Sequence, residues 1–275
     1  MSRVLITGCS TGIGRATAAE LHKRGFEVIA TARRPETLAD LDVAEKLRLD
    51  VDDQRSVDDA VAKAGQIDVL VNNAGWGMHS PVEKTPLDEV RRMFETNVIG
   101  ATRMMQAVLP QMRERGSGVI VNVTSLAGLV SSPLGGFYSA TKHALEAISE
   151  ALHYEIGHFG VRVALVEPGG FQTAFGDNRK AFGIDEPPYD ELDKIWGESQ
   201  GRLMGTNDEQ PTGEVVAQTI ADAVEGKDAP SGASSDRPKL RWLVGDDANL
   251  VMSVRSQMND EDFEATMRET LKLDW

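Results

Sequence analysis

The chain has a single cysteine, Cys9, among its 275 residues. An intramolecular disulfide is therefore impossible, and a reducing cytoplasm is the expected compartment. No apolar run approaches the length of a membrane span. The opening MSRVLITG is too poor in apolar residues for a secretory leader. Positive charge is also in short supply. Lys and Arg number 29 against 43 Asp and Glu, a formal charge of −14. That balance argues against nucleic acid and anionic membranes as partners. The five histidines, His22, His79, His143, His153 and His158, stand in no metal-ligand spacing, so no metal site is expected.

What is present is an ordinary globular composition, 41% apolar and 26% charged. The length suits one large α/β domain with a substantial core. Apolar β-branched runs recur: RVLIT (3–7), FEVIATA (26–32), KLRLDV (46–51), IDVLVNNAG (67–75), SGVIVNVTS (117–125), VRVALVEPG (161–169) and KLRWLVG (239–245). Helical spacing fills the gaps at 56–64, 87–94, 101–115 and 139–158, with a further helix after the first glycine turn. Strand and helix in alternation imply parallel strands joined by right-handed crossovers. The regularity ends after Gly169. Residues 170–211 read as an irregular segment carrying Phe171, Phe175, Phe182, Tyr189 and Trp196, together with Leu203 and Met204. A helix and a Gly/Ser/Pro loop follow. In the tail, 246–275, Phe263, Met267 and Leu271 lie four apart, as on one face of a helix.

TGCSTGIG, Thr7 to Gly14, joins the first strand to the first helix. Such a turn lets backbone N–H groups, here from Ser10, Thr11 and Ile13, approach a pyrophosphate beside the positive end of a helix. Gly8 permits the tight turn, Gly12 leaves room for phosphate, and Gly14 lets the helix lie close to the sheet. The end of the second strand reads IATARRPE. Ala32 stands where an acid would hold the ribose hydroxyls of NAD, and Arg33 and Arg34 follow. Guanidinium groups grip a 2′-phosphate, so NADP(H) is the expected cofactor. Asp50 and Val51 are expected to flank the adenine. Asn73, Ala74 and Gly75 are expected along the cofactor at the carboxyl ends of the strands.

With TGCSTGIG, NNAG (72–75), Asn97 in ETNVIG, Ser125 in VNVTS, Tyr138 and Lys142 in YSATK, and PGGFQT (168–173) in register, the sequence resembles the short-chain dehydrogenase/reductase family, in its small single-domain branch. The stretch SLAGL to TAF is similar to the steroid and retinol dehydrogenase group. The resemblance implies a Rossmann-type doubly wound α/β fold, with a parallel sheet of about seven strands and helices on both faces. It implies that Tyr138 is the general acid/base, Lys142 its electrostatic partner, Ser125 the group orienting the carbonyl, and Asn97 part of a proton relay. Pro168, Gly169 and Thr173 match the family's cofactor-side element. A homodimer or homotetramer through helices 101–115 and 139–158 is implied in the same way.

The chemistry of the residues agrees. Carbonyl reduction needs a hydride, which the nicotinamide supplies, and a proton. An ammonium one helical turn from Tyr138 is expected to lower its hydroxyl pKa. Blander roles stand beside these: Ser125 as a loop cap, with Ser131 and Ser132 as rival hydroxyls, Asn97 as a turn residue, and Cys9 as a small packing residue. The segment 170–211 is expected to form a lid over the site, and the charge-poor SLAGLVSSPLGGF its opposite wall. Together they suggest a neutral, apolar alcohol or ketone as the small-molecule substrate. The alternatives are an NADP(H)-sensing regulator without turnover, and an epimerase or dehydratase on a related fold.

Overall fold

A computed structural model describes residues 1–171, 179–204, 211–227 and 239–273. Seven strands form one parallel sheet: β1 (Arg3–Ile6), β2 (Glu27–Ala32), β3 (Glu45–Arg48), β4 (Val69–Asn72), β6 (Gly118–Val123), β7 (Val161–Pro168) and β9 (Arg241–Val244). Their order is β3-β2-β1-β4-β6-β7-β9. A two-stranded ribbon, β5 (Met78–His79) with β8 (Lys180–Ala181), stands apart from it. The chain winds outward in one direction from β1 and in the other from β4. The carboxyl ends of those neighbours therefore diverge and leave a crevice, the usual ligand position of such sheets.

Alternation along the strands builds two cores. On β1, Val4 and Ile6 face one side with Ala18 and Leu21 of α1 (Gly12–Lys23). Leu5 faces the other side, with Val57 of α2 (Gln54–Ala64) and Met104 and Val108 of α4 (Ala101–Arg115). Because both faces are covered, the strands read as continuous apolar runs. Between α3 (Leu87–Phe94) and α4 the backbone passes through a π-helical stretch, Glu95–Gly100. Helix α5 is Gly136–Ile156. It begins three residues before the expected start, so Tyr138 sits inside its first turn.

Two expectations are corrected. Strand β3 ends at Arg48, so Asp50 and Val51 lie in the turn beyond it. The segment after Gly169 is also more regular than expected. It holds β8 and a sixteen-residue helix, α6 (Tyr189–Met204). Pro187, Pro188, Gly197 and Gly201 obscure that helix in the sequence. Its organising signal is Leu192 and Trp196, one turn apart, which are buried with Leu134 and Leu271. Helix α7 (Gly213–Glu225) packs on α1, and Arg24 binds Asp222 and Glu225 across the contact. The tail is two helices, α8 (Asp246–Arg255) and α9 (Asp260–Leu271). Leu271 packs on Trp196, and its carbonyl accepts from Ser199 Oγ. The tail thereby props α6. Among the described residues, no helix is long and apolar enough to cross a membrane and no His/Cys/Asp/Glu cluster suits a metal.

Candidate active site

The glycine turn is stitched to the end of β4. Thr7 Oγ1 accepts from the N–H groups of Asn73 and Ala74 at 3.0 and 2.9 Å. Asn73 Nδ2 donates in return to the carbonyls of Thr7 and Gly8 at 2.9 and 3.1 Å. Gly8 and Gly12 have φ of +74° and +60°, the left-handed region that glycine tolerates. A Cβ on Gly14 would lie 2.3 Å from Asn73 Nδ2 and 2.5 Å from the Gly8 carbonyl. Thr11 stands at the N-cap of α1 without a side-chain capping bond. No capping side chain therefore covers the first-turn N–H groups, and they suit the oxygens of a phosphate. Ser10 and Ile13 are half-buried along the same turn and Thr11 is exposed. Burial pushes the Cys9 thiol up to about 12, so Cys9 is a packing residue.

Ala32, buried, closes β2, and Arg33 and Arg34 emerge exposed from its end. The charge of Arg33 reaches the Asp52 carboxyl. Asp50 is held in its turn: its N–H donates to Ser56 Oγ at 2.9 Å, and its carboxyl accepts from Asp52 N–H at 3.2 Å. Val51 points into the protein, where a Cβ on Gly100 would come within 2.8 Å of it. Its side chain thus anchors the π-helical stretch.

That stretch places Asn97, which is buried. Its Nδ2 donates to the Trp76 carbonyl at 2.9 Å and to Thr141 Oγ1 at 3.1 Å, and its Oδ1 accepts from Trp76 N–H at 3.0 Å. Asn97 therefore ties the segment following Gly75 to α5. Ser125 caps the short 3₁₀ turn Leu126–Gly128 by accepting from Ala127 N–H at 3.1 Å. Its hydroxyl also donates to the Pro168 carbonyl at 3.2 Å, and it stands close enough to Tyr138 to oppose the effect of burial on that phenol. The loop-cap role expected as the bland alternative is thus present in the structure. Ser131 is exposed, and Ser132 lies against Gly135.

Lys142 is buried, with Nζ 5.7 Å from the centroid of the Tyr138 ring and donating to the Val123 carbonyl at 2.9 Å. The expected lowering of the tyrosine pKa is not what the protein by itself produces. Burial pushes the Tyr138 hydroxyl up to about 12, against the opposing effects of Ser125 and Arg179. Burial also lowers Lys142 to about 8, while Glu146 works to raise it. Desolvation outweighs the neighbouring charge in both cases. At neutral pH, Tyr138 is a protonated phenol, the state that can donate to an oxygen.

At the far side, Gly169 N–H donates to the Val244 carbonyl at 2.9 Å, and Asp247 of α8 accepts from Gly170 N–H at 2.7 Å. Thr173 and Phe175 lie outside the described residues, as do the side chains of Leu203 and Met204. Tyr189 and Trp196 pack in the cluster with Leu192 and Leu271, and Phe171 packs against the core on the α1 side of the sheet. Sequence reasoning passed over Thr7, Trp76, Thr141, Asp247 and Arg179. The Thr7 signal was legible as the first letter of the glycine motif. The others act through contacts that join distant segments.

A profile of the short chain dehydrogenase family matches residues 2–182. A 3-ketodihydrosphingosine reductase of Bacteroides thetaiotaomicron is 42% identical over 180 residues, covering 64% of this chain and 66% of that protein. Human 17-beta-hydroxysteroid dehydrogenase type 1 is 40% identical over 206 residues, covering 69% of this chain and 62% of that protein. Among solved structures, a short-chain dehydrogenase from Streptomyces avermitilis superposes with a TM-score of 0.78 at 37% identity, covering 98% of both chains. Its sheet order, its glycine turn and these likenesses make the chain a member of the short chain dehydrogenase family of oxidoreductases.

Proposed function

We propose that this chain is an NADP(H)-dependent oxidoreductase that interconverts a secondary alcohol and a ketone, or an alcohol and an aldehyde, on an apolar substrate. The observation that carries this reading is that Ser125 and Lys142 converge on Tyr138: Ser125 opposes the effect of burial on the phenol, and Lys142 Nζ, one helical turn along, lies 5.7 Å from the ring centroid. The glycine turn fits a dinucleotide, since Gly8, Gly12 and Gly14 keep side chains out of it and no side chain caps the α1 N-terminus. Asn73, Ala74, Gly75, Pro168 and Gly169 border the same crevice in this reading, with Asp50 at its adenine end. A bound nicotinamide supplies the hydride.

The protein handles the oxygen. Ser125 donates to the substrate carbonyl and fixes its direction. Tyr138 passes its phenolic proton to that oxygen as the alcohol forms. The Lys142 ammonium steadies the phenolate left behind. Asn97 holds Trp76 and Thr141 so that α5 keeps its place beside the segment that follows Gly75. The cytoplasm, and a homo-oligomer through α4 and α5, belong to the same reading. Tyr154 and Phe159 are exposed at the end of α5 and its following turn.

The uncharged stretch from Ser125 to Phe137 beside Tyr138 supports an apolar substrate. The relatives named for a ketodihydrosphingosine and a hydroxysteroid support an alcohol or ketone. One observation favours a second reading: the charge of Arg179 reaches Tyr138, and a keto acid would pair with it. NADPH oxidation across a panel of apolar ketones, aldehydes and small keto acids separates the two. Best turnover is expected with the apolar ketones, and best turnover with keto acids overturns the apolar reading. Absence of turnover across the panel supports the regulator.

The choice of NADP(H) rests on the exposed Arg33 and Arg34 after β2, with no acid at Ala32. Arg33→Asp is expected to cut the preference for NADPH over NADH by about tenfold or more. Ratios of kcat/KM for the two cofactors measure this, and an unchanged ratio refutes the assignment.

A further inference from the structure

Beyond Lys142 lies a buried charge cluster to which the chemistry above assigns no role. Glu146, one turn further along α5, is 5% exposed, and Glu167, near the end of β7, is wholly buried. Their carboxyl groups are neighbours, and each is raised, by burial first. They share one guanidinium: Arg241 Nε lies 3.3 Å from Glu146 and 3.4 Å from Glu167. The other end of that guanidinium is engaged by Glu150 at 2.9 Å. The Thr124 hydroxyl is beside Glu146 but donates to the Val166 carbonyl at 3.1 Å. The charged groups facing the pair are Lys142 and Glu150 from α5, Arg241 from β9, and Lys239 just before it.

Two carboxylates side by side in a buried place do not both ionise while one guanidinium is divided between them and a third carboxylate. We propose that Glu146 and Glu167 hold one proton between them and act as a positioning pair that sets the charge of Lys142 from the next helical turn. Negative charge on Glu146 supports the ammonium, and a proton on Glu146 withdraws that support. The inference rests on the catalytic reading of Tyr138 and Lys142, and it makes the ammonium depend on residues that never touch substrate.

The pair is tested by following the lysine Cε resonance of Lys142 with pH in the cofactor-free protein, assigned by its loss in Lys142→Met. Glu146→Gln removes the supporting charge, so the Lys142 midpoint is expected to fall by about one pH unit. Glu167→Gln leaves Glu146 fully ionised, so the midpoint is expected to rise. The alkaline limb of the kcat/KM profile should move in the same two directions. Midpoints that do not move, or that both move upward as solvent entry would make them, overturn the proposal. If either variant fails to fold, the glutamate carboxyl resonances of the unaltered protein decide. One carboxyl still protonated at neutral pH is expected, and its absence overturns the shared proton. Failure of the catalytic reading is a separate result: it appears as turnover retained in Tyr138→Phe and leaves the Lys142 titration unaffected.

Discussion

Tyr138→Phe is expected to lower reductase turnover by roughly a thousandfold, about 4 kcal/mol of transition-state stabilisation, while NADPH binding and the fold persist. The substitution deletes one oxygen and leaves a ring of the same shape in the first turn of α5. Ser125 keeps its contacts with Pro168 and Ala127, and Lys142 keeps the Val123 carbonyl, so the surrounding frame survives. The loss is therefore confined to the proton. Burial holds the Tyr138 hydroxyl at about 12, so it is protonated throughout the neutral range. Lys142, lowered to about 8, begins to lose its charge just above that range. Reduction by the unaltered enzyme is thus expected to be level near neutrality and to decline as pH rises through about 8. Steady-state rates across pH, with NADPH affinity from fluorescence titration, check both statements. Retained turnover in Tyr138→Phe would remove this residue from the mechanism.

Gly14→Ala is expected to have the second largest effect. A methyl group there meets Asn73 Nδ2 at 2.3 Å and the Gly8 carbonyl at 2.5 Å. Asn73 can swing aside only by giving up its bonds to the Thr7 and Gly8 carbonyls. The Gly8 carbonyl is backbone and can yield only if the whole turn shifts. Overpacking of this kind costs about 3 kcal/mol, and the displaced turn should weaken NADPH binding by roughly tenfold or more. Denaturant unfolding and cofactor titration measure the two losses separately. Full stability together with full affinity would mean that the close approach of α1 to β4 is not required.

These predictions draw on different levels of information. The glycine spacing, the Tyr138–Lys142 pair and the alternation of strand and helix were legible because each is local. Four residues make one helical turn, and a buried parallel strand has an unbroken apolar run, whatever the rest of the chain does. Helix α6 was less legible. Two prolines stand just before α6 and two glycines lie within it, and its helical face becomes evident only with Leu134 and Leu271 packed against Leu192 and Trp196. Asn97 was legible as a residue, but its contacts were not, since they join Trp76, twenty-one positions earlier, to Thr141 on α5.

The sequence by itself determined the family, the order of the strands' apolar runs and the one-turn spacing of Tyr138 and Lys142. Tertiary structure alone decided their electrical state. Whether a phenol is raised or lowered depends on how much water it loses and on which charges surround it, and both are properties of the folded interior. Tyr138 is raised because it is buried, and Lys142 is lowered for the same reason. Glu146, one turn from Lys142, meets Glu167 and Arg241 only because β7 and β9 lie against α5.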